Sequence, residues 1–369
     1  MSKLTKLQHL YGQSIWLDYI DRNLLLRGGL QALVEEGIRG VTSNPTIFNQ
    51  AITQSTDYDD TIRDFLQADH EIDDQTLYEW LTIQDVQLAA DILEPVYRES
   101  GGSDGFVSLE VSPYLAFESN VTIKAARHLW RSVDRPNLMI KVPATEPGLT
   151  AIEQLIAEGI NVNATLLFSV ERYKKVLEAY LSGLAKNPEP GKVASVASFF
   201  LSRIDTKVDA QLDEIGTPEA LRLKGKTAIA SAKLAYQHFK KECNSAAVKT
   251  KLDKGARIQR LLWASTGTKN PEYSDVLYVE ELIGGNTVNT LTPATLDNFQ
   301  AHGELHASLE EQQDAANQQL VSLSKLGIDL NVLTTQLERE GVWKFTDSYV
   351  DLLNELGNKR YNVARRYAG

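Results

Sequence analysis

Lys141 stands inside "NLMIKVPAT" (residues 137–145), where Leu138, Met139, Ile140 and Val142 form a short apolar run closed by Pro143. Such a run reads as a buried strand, and lysine is among the residues least often buried without a partner. One reading is a strand-end residue whose ammonium snorkels to solvent along its alkyl stem. The other is chemical. Burial disfavours the charged form of an amine, and a neutral amine can attack a carbonyl to give a Schiff base. The iminium is then an electron sink for breaking a carbon–carbon bond. Loss of water from the carbinolamine needs a proton carrier, and Glu110, one strand away, is the natural partner. Asp18 can serve as a separate base, because two carboxylates in different settings hold different protonation states.

These residues must be positioned by the elements around them. Short apolar runs alternate with longer amphipathic segments, and eight candidate strands emerge: "SIWLD", "IRGVTSN", "FVSLEVS", "NLMIKVP", "INVNATLLF", "KVASVASFF", "RLLWAST" and "TVNTLT". Segments such as "TIQDVQLAADILEPVYRES" and "GLTAIEQLIAEG" carry helical periodicity between them. Strand and helix alternating eight times imply an α/β protein with a closed parallel barrel, the alternative being an open doubly wound sheet.

Side chains alternate faces along a strand. Seven successive runs thereby place polar groups toward their C-terminal ends: Asp18, Asn44, Ser108 with Glu110, Lys141, Asn163 with Thr165, Ser198 and Ser265. Each alone has a bland explanation; Asn44 before Pro45 suits a turn, and Asp18 or Ser198 suits a helix cap. In a barrel they converge at the end where barrel active sites form.

The whole chain of 369 residues, 43% hydrophobic, can bury a large core. Additional helical stretches fall at roughly 206–257 and from about 297 to the end, and no Pro-, Gly- or Ser-rich linker separates them from the strands, so residues 1–369 read as a single domain. The net charge of -11 argues against nonspecific binding to nucleic acid or to an anionic membrane. The single cysteine, Cys243, excludes an intramolecular disulfide and a cysteine metal cluster. His302 and His306, four apart, have no catalytic glutamate pattern between them and read as a solvated helix face. "GGSDG" at 101–105 reads as turn chemistry before a strand. Neither a signal peptide nor an apolar run of membrane-spanning length is present, which points to a cytoplasmic protein.

Four stretches resemble the motifs of the transaldolase family, in order and at compatible spacing: "GVTSNPTIF", "NLMIKVPAT", "GINVNATLLFS" and "VASFFLSRID". "WASTGTKNPEYSDVLYVEELIGGNTVNTLTPATL" is similar to the longer bacterial subgroup. The resemblance spans essentially the whole chain. It implies a single (β/α)8 TIM barrel with extra helices, no metal and no organic cofactor, and phosphorylated sugars as substrates. The implied reaction moves a dihydroxyacetone unit from sedoheptulose 7-phosphate to glyceraldehyde 3-phosphate, giving erythrose 4-phosphate and fructose 6-phosphate in the non-oxidative pentose phosphate pathway. A homo-oligomer is left open.

On the same resemblance Lys141 is the Schiff-base nucleophile and Asp18 the base at bond cleavage. Glu110 and Thr165 hold and protonate the departing water. Asn44, Asn163 and Ser198 bond the substrate hydroxyls, and Arg203 binds phosphate, where a guanidinium's bidentate geometry is suited. One departure falls after the seventh strand. The family's usual phosphate arginine is replaced by Gly267, and Ser265 is followed by "TGTKN", so Lys269 supplies the second charge as a point charge rather than a fork. Gly267 is expected to let this segment bend. Shorter relatives that act as fructose 6-phosphate aldolases carry a water-activating tyrosine where this chain has Phe200, which favours the transferase reading. A sugar-phosphate-binding barrel without activity is the non-enzymatic alternative, against which the joint presence of Lys141, Asp18 and Glu110 speaks.

Overall fold

A computed structural model describes residues 1–367. The eight apolar runs are the eight strands β1 (Gln13–Leu17), β2 (Ile38–Thr42), β3 (Phe106–Glu110), β4 (Leu138–Pro143), β5 (Val162–Leu167), β6 (Ser195–Phe200), β7 (Arg260–Ala264) and β8 (Thr287–Leu291). Each pairs in parallel with its neighbour in chain order, and β1 returns to β8 with Gln13 opposite Thr287 and Leu17 opposite Leu291. The sheet is therefore a closed (β/α)8 barrel and not an open doubly wound sheet. The strands are almost continuously buried, as expected of parallel strands covered on both faces.

The inward faces follow the period-two count. Trp16, on the face that leads to Asp18, lies against Gly40 of the neighbouring strand β2, where a Cβ would stand 2.5 Å from the indole ring. Only glycine lets the ring lie there. Beneath Trp16 the barrel's N-terminal end is closed by a buried ion pair, Arg260 Nη1 to Asp104 Oδ1 at 3.0 Å. Asp104 Oδ1 also accepts from Trp16 Nε1 at 3.1 Å, and Oδ2 accepts from Ser14 Oγ at 2.6 Å. Arg260 Nη2 donates to Ser14 Oγ and to the Thr287 carbonyl, both at 2.7 Å. The "GGSDG" stretch is thus more than a turn, because its aspartate plugs the barrel.

The additional helices fall where the sequence places them. Helices Ser202–Ile215, Pro218–Leu221, Thr227–Cys243 and Ala246–Leu252 occupy the first stretch, and Pro293–His302, Gln313–Lys325 and Leu330–Tyr367 the second. The last, of 38 residues, packs on helix Pro45–Thr53 at the C-terminal end of β2. Ion pairs Arg172–Glu338 at 2.9 Å, Lys207–Glu340 at 2.5 Å and Lys359–Asp59 at 2.7 Å hold it along its length. Its partners come from segments following β5, β6 and β2, so the helix lies over the C-terminal mouth of the barrel. Among the described residues, no helix is long and apolar enough to cross a membrane.

Candidate active site

Lys141 is fixed by its strand. β4 pairs with β3 so that Lys141 lies opposite Glu110, and with β5 so that Lys141 lies opposite Asn163. Its side chain is 6% exposed, and Nζ donates to the Ser43 carbonyl at 3.0 Å. The nearest carboxylate oxygen, Glu110 Oε2, is 3.8 Å away, an ion-pair separation beyond hydrogen-bond range. Both Glu110 oxygens are buried without a hydrogen-bond partner, as is Thr165 Oγ1. Unsatisfied buried acceptors are costly and rare, so their clustering beside a buried amine marks a site with work to do.

Burial pushes the Glu110 carboxyl up to about 7, against the opposing pull of the Lys141 ammonium. Burial likewise raises Asp18 above the ordinary carboxylate range, opposed by Lys141 and by a hydrogen bond from Thr42 Oγ1 at 2.6 Å. Thr42 is tied in turn to Thr290 Oγ1 at 2.7 Å, so β1, β2 and β8 together orient Asp18. Near neutral pH one carboxyl is therefore poised to give or take a proton, and the other is held by a hydroxyl donor beside the amine. Two carboxyl groups with distinct settings are the usual means of dividing acid and base work.

A cavity of about 210 Å3 opens above these groups at the C-terminal mouth. It brings together eight of the ten residues singled out from the sequence. Asp18, Asn44, Lys141, Thr165 and Ser198 line its strand-end wall, and Arg203, Ser265 and Lys269 its other side. Asn163 lies beneath the floor, fully buried, accepting from Ser198 Oγ at 2.6 Å and donating to Ser108 Oγ at 3.1 Å. Glu110 stands beside the floor, within ion-pair range of Lys141, and does not line this cavity. Asn44 does double duty, because its Oδ1 caps helix Pro45–Thr53 by accepting from Ile47 N at 3.1 Å. Asp18 and Ser198 cap no helix; their partners are Thr42 and Asn163.

The bend after β7 falls at a different residue from the one expected. Ser265 adopts φ 55, whereas Gly267 has an ordinary φ. A non-glycine residue in the left-handed region is strained and is held by its surroundings. Here the Ser265 carbonyl accepts from Ser202 N at 3.1 Å, and its hydroxyl meets Ser202 Oγ at 2.8 Å. That tether fixes the start of helix Ser202–Ile215 and with it Arg203, the helix's second residue.

Some contributors escape sequence reasoning. The Ser43 carbonyl is a backbone acceptor and carries no side-chain signal. Phe345, from the helix over the mouth, lines the cavity and lies in cation–π range of Arg203, with the guanidinium carbon 5.7 Å from its ring centre and 5.4 Å from that of Phe200. Cation–π contact of this kind orients a guanidinium and limits its rotamers.

A parallel barrel that buries an amine and two carboxyl groups at its C-terminal mouth is laid out as an enzyme, with its reactive groups where barrel enzymes carry theirs. Comparison with known proteins narrows the class. Residues 15–356 match the family model of transaldolase/fructose-6-phosphate aldolase. The chain is 47% identical to a transaldolase of Thiobacillus denitrificans over 351 residues, covering 94% of this chain and 97% of the relative. It is 46% identical to a transaldolase of Frankia alni, covering 94% and 95%, and 46% identical to transaldolase 2 of a Nostoc species, covering 95% of each. The chain belongs to the transaldolase/fructose-6-phosphate aldolase family and is a transferase-type enzyme of it, similar in length to its bacterial relatives.

Proposed function

We propose that the enzyme transfers a dihydroxyacetone unit from sedoheptulose 7-phosphate to glyceraldehyde 3-phosphate, within the non-oxidative pentose phosphate pathway. The observation that carries this reading is Lys141: a buried amine held by one carbonyl, 3.8 Å from a carboxyl group whose oxygens have no other partner. In the first step the amine attacks the ketose carbonyl, forming a carbon–nitrogen bond. Glu110, with Thr165, gives the carbinolamine oxygen a proton, so that water leaves and an iminium remains. Asp18 then takes the proton of the hydroxyl two carbons from the iminium carbon. The bond from the carbon bearing that hydroxyl to the carbon next to the iminium breaks, its electron pair flows into the iminium to give an enamine, and erythrose 4-phosphate departs as the aldehyde. The enamine left on Lys141 attacks the aldehyde carbon of glyceraldehyde 3-phosphate, Asp18 returns its proton, and hydrolysis releases fructose 6-phosphate.

Binding follows from the same geometry. Ser198 and Asn163 act as one hydrogen-bonded unit under the dihydroxyacetone hydroxyls, with Asn44 beside them, and a site built to bond hydroxyls rejects analogues that lack them. Arg203, in cation–π contact with Phe200 and Phe345, and Lys269 take the phosphate, with Ser265 fixing the wall between them. Phe200 favours transfer over free aldol release, because a phenyl ring there has no hydroxyl to activate water. Residues 1–369 would act as one domain, in the cytoplasm.

The test is product analysis. Fructose 6-phosphate with erythrose 4-phosphate should give sedoheptulose 7-phosphate at a rate far above any release of free dihydroxyacetone. Release of free dihydroxyacetone at a comparable rate would make the enzyme an aldolase and reject the transfer reading.

A further inference from the structure

The proposed phosphate site divides its two cations between separate elements. Arg203 is on helix Ser202–Ile215, and Lys269 is on the segment between β7 and β8. A segment on the surface does not by itself keep a fixed distance to a neighbouring helix. Beyond the contacts of Ser265 with Ser202 at its start, this one is tied to the Arg203 helix twice more. The Tyr273 hydroxyl donates to Asp209 Oδ2 at 2.6 Å, and the Tyr278 hydroxyl donates to Asp205 Oδ2 at 2.8 Å. Asp205 and Asp209 are four residues apart and so present their carboxylates on one face of the helix.

The remaining oxygen of each carboxylate is also used. Asp205 Oδ1 accepts from Ala228 N at 2.8 Å, and Asp209 Oδ1 accepts from Gly225 N at 3.0 Å. Each aspartate therefore joins the Arg203 helix, the segment carrying Lys269 and the start of helix Thr227–Cys243. Gly225 has φ 69, and a Cβ there would stand 2.8 Å from the Tyr273 ring, so glycine serves both the left-handed turn and the close approach. Burial, with the adjacent Asp209 adding to it, holds the Tyr273 hydroxyl above its ordinary range, so it remains a donor. Asp205 lies two residues beyond Arg203, and Tyr273 four beyond Lys269.

We infer that the Asp209–Tyr273 and Asp205–Tyr278 hydrogen bonds are positioning contacts that set the spacing of Lys269 from Arg203, and with it the preference for phosphorylated sugars. This rests on the phosphate role proposed for those two cations. A lysine whose segment is already anchored loses less freedom when phosphate binds than one on a loose loop. The aspartates and tyrosines touch no substrate; they act through Arg203 and Lys269.

Tyr273→Phe keeps the ring against Gly225 and removes only the hydroxyl. With erythrose as acceptor, the KM for fructose 6-phosphate should rise about tenfold, the scale of one charge-assisted hydrogen bond, with kcat and the KM for fructose unchanged. In a Lys269→Ala background, Tyr273→Phe should add nothing. Asp209→Asn, as a second variant, should show the same split between the two sugars, with the folded state checked by thermal melting. Equal losses on both sugars, an unchanged KM for fructose 6-phosphate, or a full additional loss in the Lys269→Ala background would overturn the inference. If Arg203→Ala and Lys269→Ala themselves leave the phosphosugar KM untouched, the underlying phosphate reading falls, an outcome read without altering Tyr273 at all.

Discussion

The two ends of the barrel each bury a cation beside carboxylates, and they treat it in opposite ways. At the N-terminal end both Asp104 oxygens are occupied, by Arg260, Trp16 and Ser14, and Arg260 bonds three further oxygens, those of Ser103, Ser14 and Thr287. At the C-terminal end Lys141 has one carbonyl and a carboxylate 3.8 Å away, and both Glu110 oxygens are unpartnered. Buried charges are tolerated when fully paired and hydrogen-bonded, and are costly when they are not. The first cluster is what a stable barrel requires. The second leaves donors and acceptors open to a reacting molecule, at the end of the barrel where such molecules bind.

The comparison can be broken from either side. The largest expected effect is on catalysis: Asp18→Ala should lower kcat by about 10^2 to 10^4-fold, the usual contribution of a positioned general base. It should still accumulate the imine with fructose 6-phosphate, seen in single-turnover trapping, and turnover near the parent rate would make Asp18 a structural residue. Asp104→Ala should do the reverse. Removing one partner of a buried pair costs about 3–5 kcal/mol, so denaturant melts should shift strongly while the folded variant keeps its kcat. A normal melt, or a collapsed kcat in the folded protein, would erase the distinction between the two ends.

Glu110→Gln sharpens it through pH. The folded carboxyl sits at about 7 against an ordinary value of 4.5, so between these values the native state holds a proton that the unfolded chain has released. Stability from this group is therefore present below about 4.5 and is lost as pH rises toward 7. Glu110→Gln should remove that loss, melting higher than the parent at pH 8 by up to about 3 kcal/mol, with convergence near pH 4. The same variant should slow imine formation at every pH. Equal melts at pH 8 would mean that Glu110 is not strained by burial. The smallest effect belongs to the phosphate side: Arg203→Ala should weaken phosphosugar binding by about 1.5–3 kcal/mol and spare fructose. Phe345→Ala should give a fraction of that, about 0.5–1 kcal/mol, by removing one of the two cation–π contacts.

The barrel and the strand-end side chains were legible because both rest on periodicity. Alternation by two placed Asp18, Lys141, Thr165 and Ser198 on inward faces, and closure of the sheet brought them to one cavity. What periodicity does not encode was missed. The amphipathic pattern of helix Leu330–Tyr367 marks a buried face but not which turn crosses the mouth, so Phe345 could not be assigned to Arg203. Asp104 looked like a turn residue because a local Gly-rich context dominates the signal, while its partners Ser14 and Arg260 lie 90 and 156 residues away. At the end of β7 the glycine drew attention as the flexible position. The strain instead falls on Ser265, which its contacts with Ser202 over-determine.

The most direct test of the unpaired end is chemical trapping. Incubation with fructose 6-phosphate and borohydride should leave one reduced dihydroxyacetone adduct, mapped by peptide mass spectrometry to Lys141, and none in Lys141→Ala. An adduct on another lysine, or an unlabelled protein that turns over normally, would contradict the account.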